Sequence, residues 1–161
     1  MKRSGLVLSA LVLLSSGCGS VITTEIIGVT GVAVDDQGNP VVLVQLCKGT
    51  IDHVELSGTR EGLADDEPNP TYGGWDAASP QQGLISINLG SGTKGWEGRV
   101  FSPDPDRRYI LDASSTTNDV ATSQVVFTAD DLAGLQPDQV VRGDGEVVSQ
   151  ARFGTDACPT S

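Results

Sequence analysis

Apolar positions along residues 26–153 fall in short runs separated by clusters of Gly, Pro, Asp and Asn. Residues 26–34 (IIGVTGVAV) are rich in β-branched side chains, which suits a pleated strand. The following DDQGNP, residues 35–40, is a turn, with Asp and Asn for local hydrogen bonds and Pro40 to interrupt a ladder. Residues 41–47 (VVLVQLC) are almost continuously apolar and predict a strand buried on both faces. Further strands are predicted over 51–56, 83–89, 96–101, 109–114, 119–128, 139–142 and 146–153. About seven or eight strands at this spacing, with few helix signals, predict an all-β domain, an antiparallel Ig-like β-sandwich.

One short helix is expected in FTADDLAGL, residues 127–135. Thr128 is its N-cap, and Asp130 and Asp131 suit the positive end of the helix turn. Phe127 and Leu132 have the spacing of a hydrophobic staple, and Gly134 and Pro137 end the helix. Between residues 61 and 82 (EGLADDEPNPTYGGWDAASPQQ) the alternation fails, which predicts a long loop. Tyr72 and Trp75 make this loop the expected binding surface, whereas Trp96, in a strand-like stretch, is expected in the core.

The start of the chain has a different pattern. Lys2 and Arg3 precede a nearly unbroken apolar run at 5–14, followed by Ser15, Ser16, Gly17 and Cys18. An apolar run of ~10 residues reaches only ~15 Å as a helix, about half a bilayer core. It therefore reads as an export signal rather than a membrane span. In a bacterial lipoprotein such a cysteine takes a diacylglyceryl group and becomes the new N-terminus. The lipoprotein pattern has Leu, Val or Ile three places before the cysteine, where this chain has Ser15. The expected organisation is a signal peptide over 1–17, lipidated Cys18 with a tether to 25, and the β-domain over 26–161.

Charge narrows the partners. The chain has 10 Lys and Arg against 21 Asp and Glu, a formal net charge of −11. Phosphate binding needs a basic patch, so nucleic acid is not an expected partner. The expected partners are the membrane, through the lipid anchor, and a protein or glycan. With Cys18 lipidated, Cys47 and Cys158 remain as a natural disulfide pair for an oxidising compartment. Loop-closure entropy puts the effect of such a long-range bridge at ~4–5 kcal/mol as an upper figure.

Catalytic chemistry is hard to assemble from these residues. His53 is the single histidine, so it alone could be an imidazole base. There is no CxxC, GxSxG, HExxH or phosphate loop, and no catalytic residue, metal site or cofactor is expected. Asp65, Asp66 and Glu67 lack the spaced order of a calcium loop and read as a solvated acidic turn. Ser91-Gly92-Thr93-Lys94 matches S-x-x-K by spelling, but its glycines mark a hairpin loop. Arg142-Gly143-Asp144 is an adhesion tripeptide by spelling, at a turn between strands.

The segment GVTGVAVDDQGNPVVLVQL, with its V-x-D-x-x-G-x-P-V rhythm, resembles the opening hairpin of carboxypeptidase-regulatory-like and related Ig-like sandwiches. The stretches VVLVQLCKGTIDHVEL, RYILDASS, VVFTADDLAGLQPDQVV and the terminal DACP resemble a group of uncharacterised actinobacterial exported lipoproteins. This resemblance implies a β-sandwich carrying the Cys47–Cys158 bridge and brings no activity with it. The expectation is a lipid-anchored, extracytoplasmic, non-enzymatic binding module. The alternatives are an envelope hydrolase using paired carboxylates, from the 65–67 cluster with Asp76, and a structural accessory domain of an envelope complex.

Overall fold

The computed structural model describes residues 23–143 and 145–158. The expected signal peptide, Cys18, most of the expected tether, Asp144 and residues 159–161 lie outside the described residues. Strands β1 (Glu25–Val34) and β2 (Pro40–Leu46) form a hairpin through the turn expected at 35–40. The Asp35 carboxylate organises that turn. It accepts the Asn39 side-chain amide at 2.9 Å, the main-chain N–H groups of Gln37 and Asn39 at 2.9 and 2.8 Å, and Asn88 Nδ2 at 2.7 Å. The Asn39 side-chain bond leads in holding the Asp35 carboxyl below its ordinary value, against some desolvation.

The chain continues through β3 (Ile51–Gly58), β4 (Thr71–Gln81), β5 (Leu84–Asn88), β6 (Trp96–Gly98) and β7 (Arg108–Ser114). Then come β8 (Val120–Ser123), β9 (Val125–Thr128), α1 (Ala129–Ala133), β10 (Gln139–Arg142), β11 (Glu146–Ser149) and α2 (Gln150–Asp156). All eleven strands join one sheet. β5, β2 and β1 form an antiparallel row, and β9, β7, β3, β4 and β6 form another. β1 joins the two rows because its second edge is shared. Its first half pairs in parallel with β8, and its second half pairs antiparallel with β10. At the far side Phe101 N–H donates to Leu89 O at 2.7 Å, bringing the chain after β6 to the end of β5.

The result is a mostly-β, mixed and nearly closed barrel-like sheet. It corrects the expectation of a purely antiparallel sandwich with about seven or eight strands and one helix. Alternation reports which face of a strand is buried but not how a long strand divides its edge between neighbours. The second helix was hidden for a related reason. Val147 and Val148 look like strand and are strand, but the chain turns helical at once behind them. Ser149 is the N-cap, its hydroxyl accepting Arg152 N–H at 3.3 Å. The first helix forms as expected, with Thr128 and Asp131 completing a reciprocal capping box.

The main core lies inside the curved sheet, around Val32, Val44, Leu56, Trp75, Tyr109 and Phe127. A second cluster, Ala33, Leu43, Val140, Val148 and Phe153, covers the outer face of β1 and β2. This explains the continuously apolar β2, which is buried on both sides as its sequence predicts. Phe153 packs directly on Gly31, where a Cβ would stand 2.8 Å from its ring. The Cys47–Cys158 disulfide then ties the residue after β2 to the end of α2, with a Cα–Cα distance of 5.3 Å. It forms the long-range pair expected from counting cysteines.

One buried polar contact joins the two rows. The Thr30 and Thr122 hydroxyls are 2.5 Å apart, and Thr122 Oγ1 also accepts Ala113 N–H at 3.0 Å. Both threonines are buried, so these bonds serve groups that water cannot reach.

Candidate binding groove

The site begins with the strand that the sequence hides. Residues 71–81 are β4, a correction to the long loop expected between 61 and 82. Gly73, Gly74 and Pro80 weaken the strand pattern, yet two nearby glycines have a packing reason. The Trp75 indole lies along the inner face of the sheet. A Cβ on Gly73 would stand 3.0 Å from the edge of that ring, and one on Gly98 would overlap it. Glycine at both positions lets the indole lie flat.

Trp75 is consequently only 2% exposed, which corrects its expected place on an open binding surface. Trp96, expected in the core, is half-buried and packs against the core margin. Tyr72 is half-buried. Its ring meets Tyr109 edge-on at 5.6 Å, and the Arg107 guanidinium sits 4.9 Å above it.

β4 and β6 stay paired from Ala77↔Trp96 to Trp75↔Gly98 and then separate. The wedge between them is a groove of about 470 Å³. One wall is Tyr72 and Gly73; the other is Arg99, Val100 and Ser102. Trp75, Phe101 and Tyr109 contribute its aromatic lining, while Asp104 and Arg107 complete it. Phe101 meets Tyr109 edge-on at 5.1 Å, so the lining is braced by its own packing.

Electrostatics divide the two arginines. Arg107 is paired with Asp104 at 3.0 Å. The Asp106 N–H, followed by Arg107, draws the Asp104 carboxyl below its ordinary value. Asp104, followed by Tyr72, raises Arg107 further above its already high value. The Asp104 N–H donates to the Tyr109 hydroxyl at 2.8 Å, so the turn is tied to the core. Arg99 is exposed and takes part in no ion pair among the described residues. Val100 beside it is 69% exposed.

Of the residues expected to matter, the structure brings Tyr72 and Trp75 to this groove and leaves the carboxylates out of it. Asp65, Asp66 and Glu67 are exposed in the turn before β4. Arg60 shapes that turn by donating to the carbonyls of Ala64, Asp65 and Glu67 at 2.7–3.0 Å. Asp76 faces His53 on the outside of the sheet, with 2.7 Å between Oδ1 and Nδ1. No group of three or more metal-binding side chains forms among the described residues.

The His53–Asp76 couple was not foreseen, because β4 itself was not. Register also sets Ser114 of β7 opposite His53, making a Ser–His–Asp row across three strands. The imidazole leans over β4, however, with its Cε1 3.2 Å from where a Gly74 Cβ would be. No hydrogen bond joins it to Ser114 among the described residues, so the row lacks the contact by which a base activates a nucleophile.

Arg99, Phe101 and Arg107 were also missed. The available signal was the Pro/Asp turn holding Arg107, which reads as mere punctuation until Tyr72 is placed beneath it. Residues 91–94 form a loop, with Thr93 Oγ1 accepting Asn88 N–H at 2.7 Å, but it is not the hairpin expected, because β5 pairs with β2 and β6 with β4. No helix among the described residues is long and apolar enough to cross a membrane. Comparison with known proteins found no matching family profile, curated protein or solved structure.

Proposed function

We propose that this chain is an exported domain, anchored at the outer face of the membrane by lipid on Cys18, and that it is a non-enzymatic binding module. The observation that carries the reading is the groove between β4 and residues 99–102. It places an exposed apolar side chain and an exposed arginine beside a braced aromatic lining. Sites of this kind, concave and mainly apolar with a few convergent polar groups, are where ligands bind.

The Cys47–Cys158 bridge supports an oxidising, extracytoplasmic location, and the basic-then-apolar opening of the chain supports export. Between the expected protein and glycan partners, the groove favours protein. Sugar stacking needs an open aromatic face, but Trp75 is buried and Arg107 covers the Tyr72 ring.

Native gel electrophoresis of mildly solubilised membranes tests both parts. The chain should run as a complex larger than itself. Val100→Asp should release it to its own size, while Thr117→Asp on another loop should not. Cys18→Ala should move the chain from the membrane fraction to the soluble one. A complex indifferent to Val100→Asp would remove the groove from the account, and unchanged partitioning of Cys18→Ala would remove the anchor.

A further inference from the structure

We infer that the groove takes an extended acidic peptide, which adds as a strand to the open edge of β4 with a carboxylate on Arg99. This rests on the groove being the binding site. The first argument is main-chain geometry. β4 pairs with β6 only over Trp75, Asp76 and Ala77, yet it pairs with β3 from Thr71 onward. Among the described residues, 71–74 therefore have a strand on one edge alone, and Tyr72 and Gly73 of that stretch line the groove.

Ladder alternation from the Ala78 N–H to Gly95 O bond, 2.9 Å, turns the main-chain groups of Gly74 away from β3 and toward Arg99, where the β6 pairing ends and the open stretch begins. Tyr72 is the extra residue of a bulge, since Leu56 faces Gly73 and Ser57 faces Thr71. The open stretch is ~13 Å long, enough for about four residues of an added strand. Two successive glycines leave no side chain at 73 or 74 to hold another backbone away.

The second argument is charge. Arg99 stands on the wall facing this edge without an acidic partner among the described residues, a local positive charge on an otherwise acidic chain. Strand addition takes its affinity from main-chain bonds and its specificity from alternate side chains. Here an apolar side chain would meet the aromatic lining and the next, a carboxylate, would meet Arg99.

The test uses the exported chain, disulfide intact, as bait for phage-displayed random heptapeptides. The expected consensus alternates acidic and apolar positions. A synthetic consensus peptide should slow amide hydrogen exchange at Tyr72 and Gly74. Arg99→Ala should weaken it roughly tenfold, the loss of one charge-assisted contact. The same peptide N-methylated along one edge should not bind.

A consensus without acids, equal binding of the N-methylated peptide, or protection elsewhere on the sheet would overturn the inference. Failure to obtain a consensus would overturn it too. If Val100→Asp nevertheless dissolved the membrane complex, the groove would stand and only its occupant would be wrong. If neither experiment succeeded, both readings would fall.

Discussion

Thr122→Val removes one hydroxyl and almost no volume, so its cost measures the polar contact that joins the two rows of the sheet. In the native chain Thr122 Oγ1 accepts Ala113 N–H at 3.0 Å, faces Ala113 O at 3.2 Å and shares a hydrogen bond with Thr30 Oγ1 at 2.5 Å. Thr30 and Thr122 are 0% and 2% exposed. Valine leaves the Ala113 N–H and the Thr30 hydroxyl without a partner and beyond the reach of water. Each such orphan costs about 1–3 kcal/mol, so the variant should lose about 2–4 kcal/mol of folding stability. Thr30→Val alone leaves Thr122 its bonds to Ala113 and should cost about 1 kcal/mol. The double variant should lose less than the sum of the two, with a coupling of about 1–2 kcal/mol. Urea unfolding followed by tryptophan fluorescence, with the disulfide intact, gives all three values. A Thr122→Val stability within about 0.5 kcal/mol of the native chain would refute the reasoning, because that is the range of an inconsequential surface change.

Gly98→Ala should be among the more damaging single methyl additions, since its Cβ would overlap the Trp75 indole and stand 2.6 Å from Gly74 O. Urea unfolding should show a loss of about 1–3 kcal/mol, and a neutral result would mean that the indole does not lie where described. Reducing the Cys47–Cys158 bridge, which spans 111 residues, should cost up to ~4–5 kcal/mol and lower the thermal midpoint. An unchanged midpoint after verified reduction would contradict that. Asp35, Asp52 and Asp104 have carboxyls held below 3.8, the first by Asn39, the second by the Thr116 N–H and the third by the Asp106 N–H. A lowered native value means that the unfolded chain binds protons first as pH falls. Their stabilisation is full above 3.8 and drains away below it as the native groups titrate. Chemical denaturation at stepwise lower pH should show this loss, and Asp35→Asn should shallow it. An identical slope in the variant would exclude Asp35 from the effect.

Local chemistry was legible where a few neighbouring residues decide the structure. Asp35 and Asn39 specify their turn, Thr128 and Asp131 their cap, and the count of thiols leaves Cys47 for Cys158. Features decided by contacts distant in sequence were not. β4 carries Gly73, which makes sense only with the Trp75 ring lying beside it and against Gly98 from another strand. Trp75 is buried and Trp96 only half-buried for the same reason, because burial depends on which side of a strand faces inward once its partner is known. The parallel β1–β8 pair and the open edge of β4 are matters of register, which alternation alone does not fix. Tyr72 and Trp75, singled out from the sequence, line the groove. Arg99 and Phe101 enter it only because the chain after β6 leaves β4 and crosses to the end of β5.

The central claim is the proposal that the groove is where this domain meets its partner. A photocrosslinking scan in intact cells tests it most directly, with the photoreactive residue placed singly at Tyr72, Arg99, Val100 and Ser102, and at Glu55, Thr117 and Val147 away from the groove. The account predicts one crosslinked species, shared by the first group and missing from the second. Crosslinks spread evenly over both groups, or confined to the second, would contradict it.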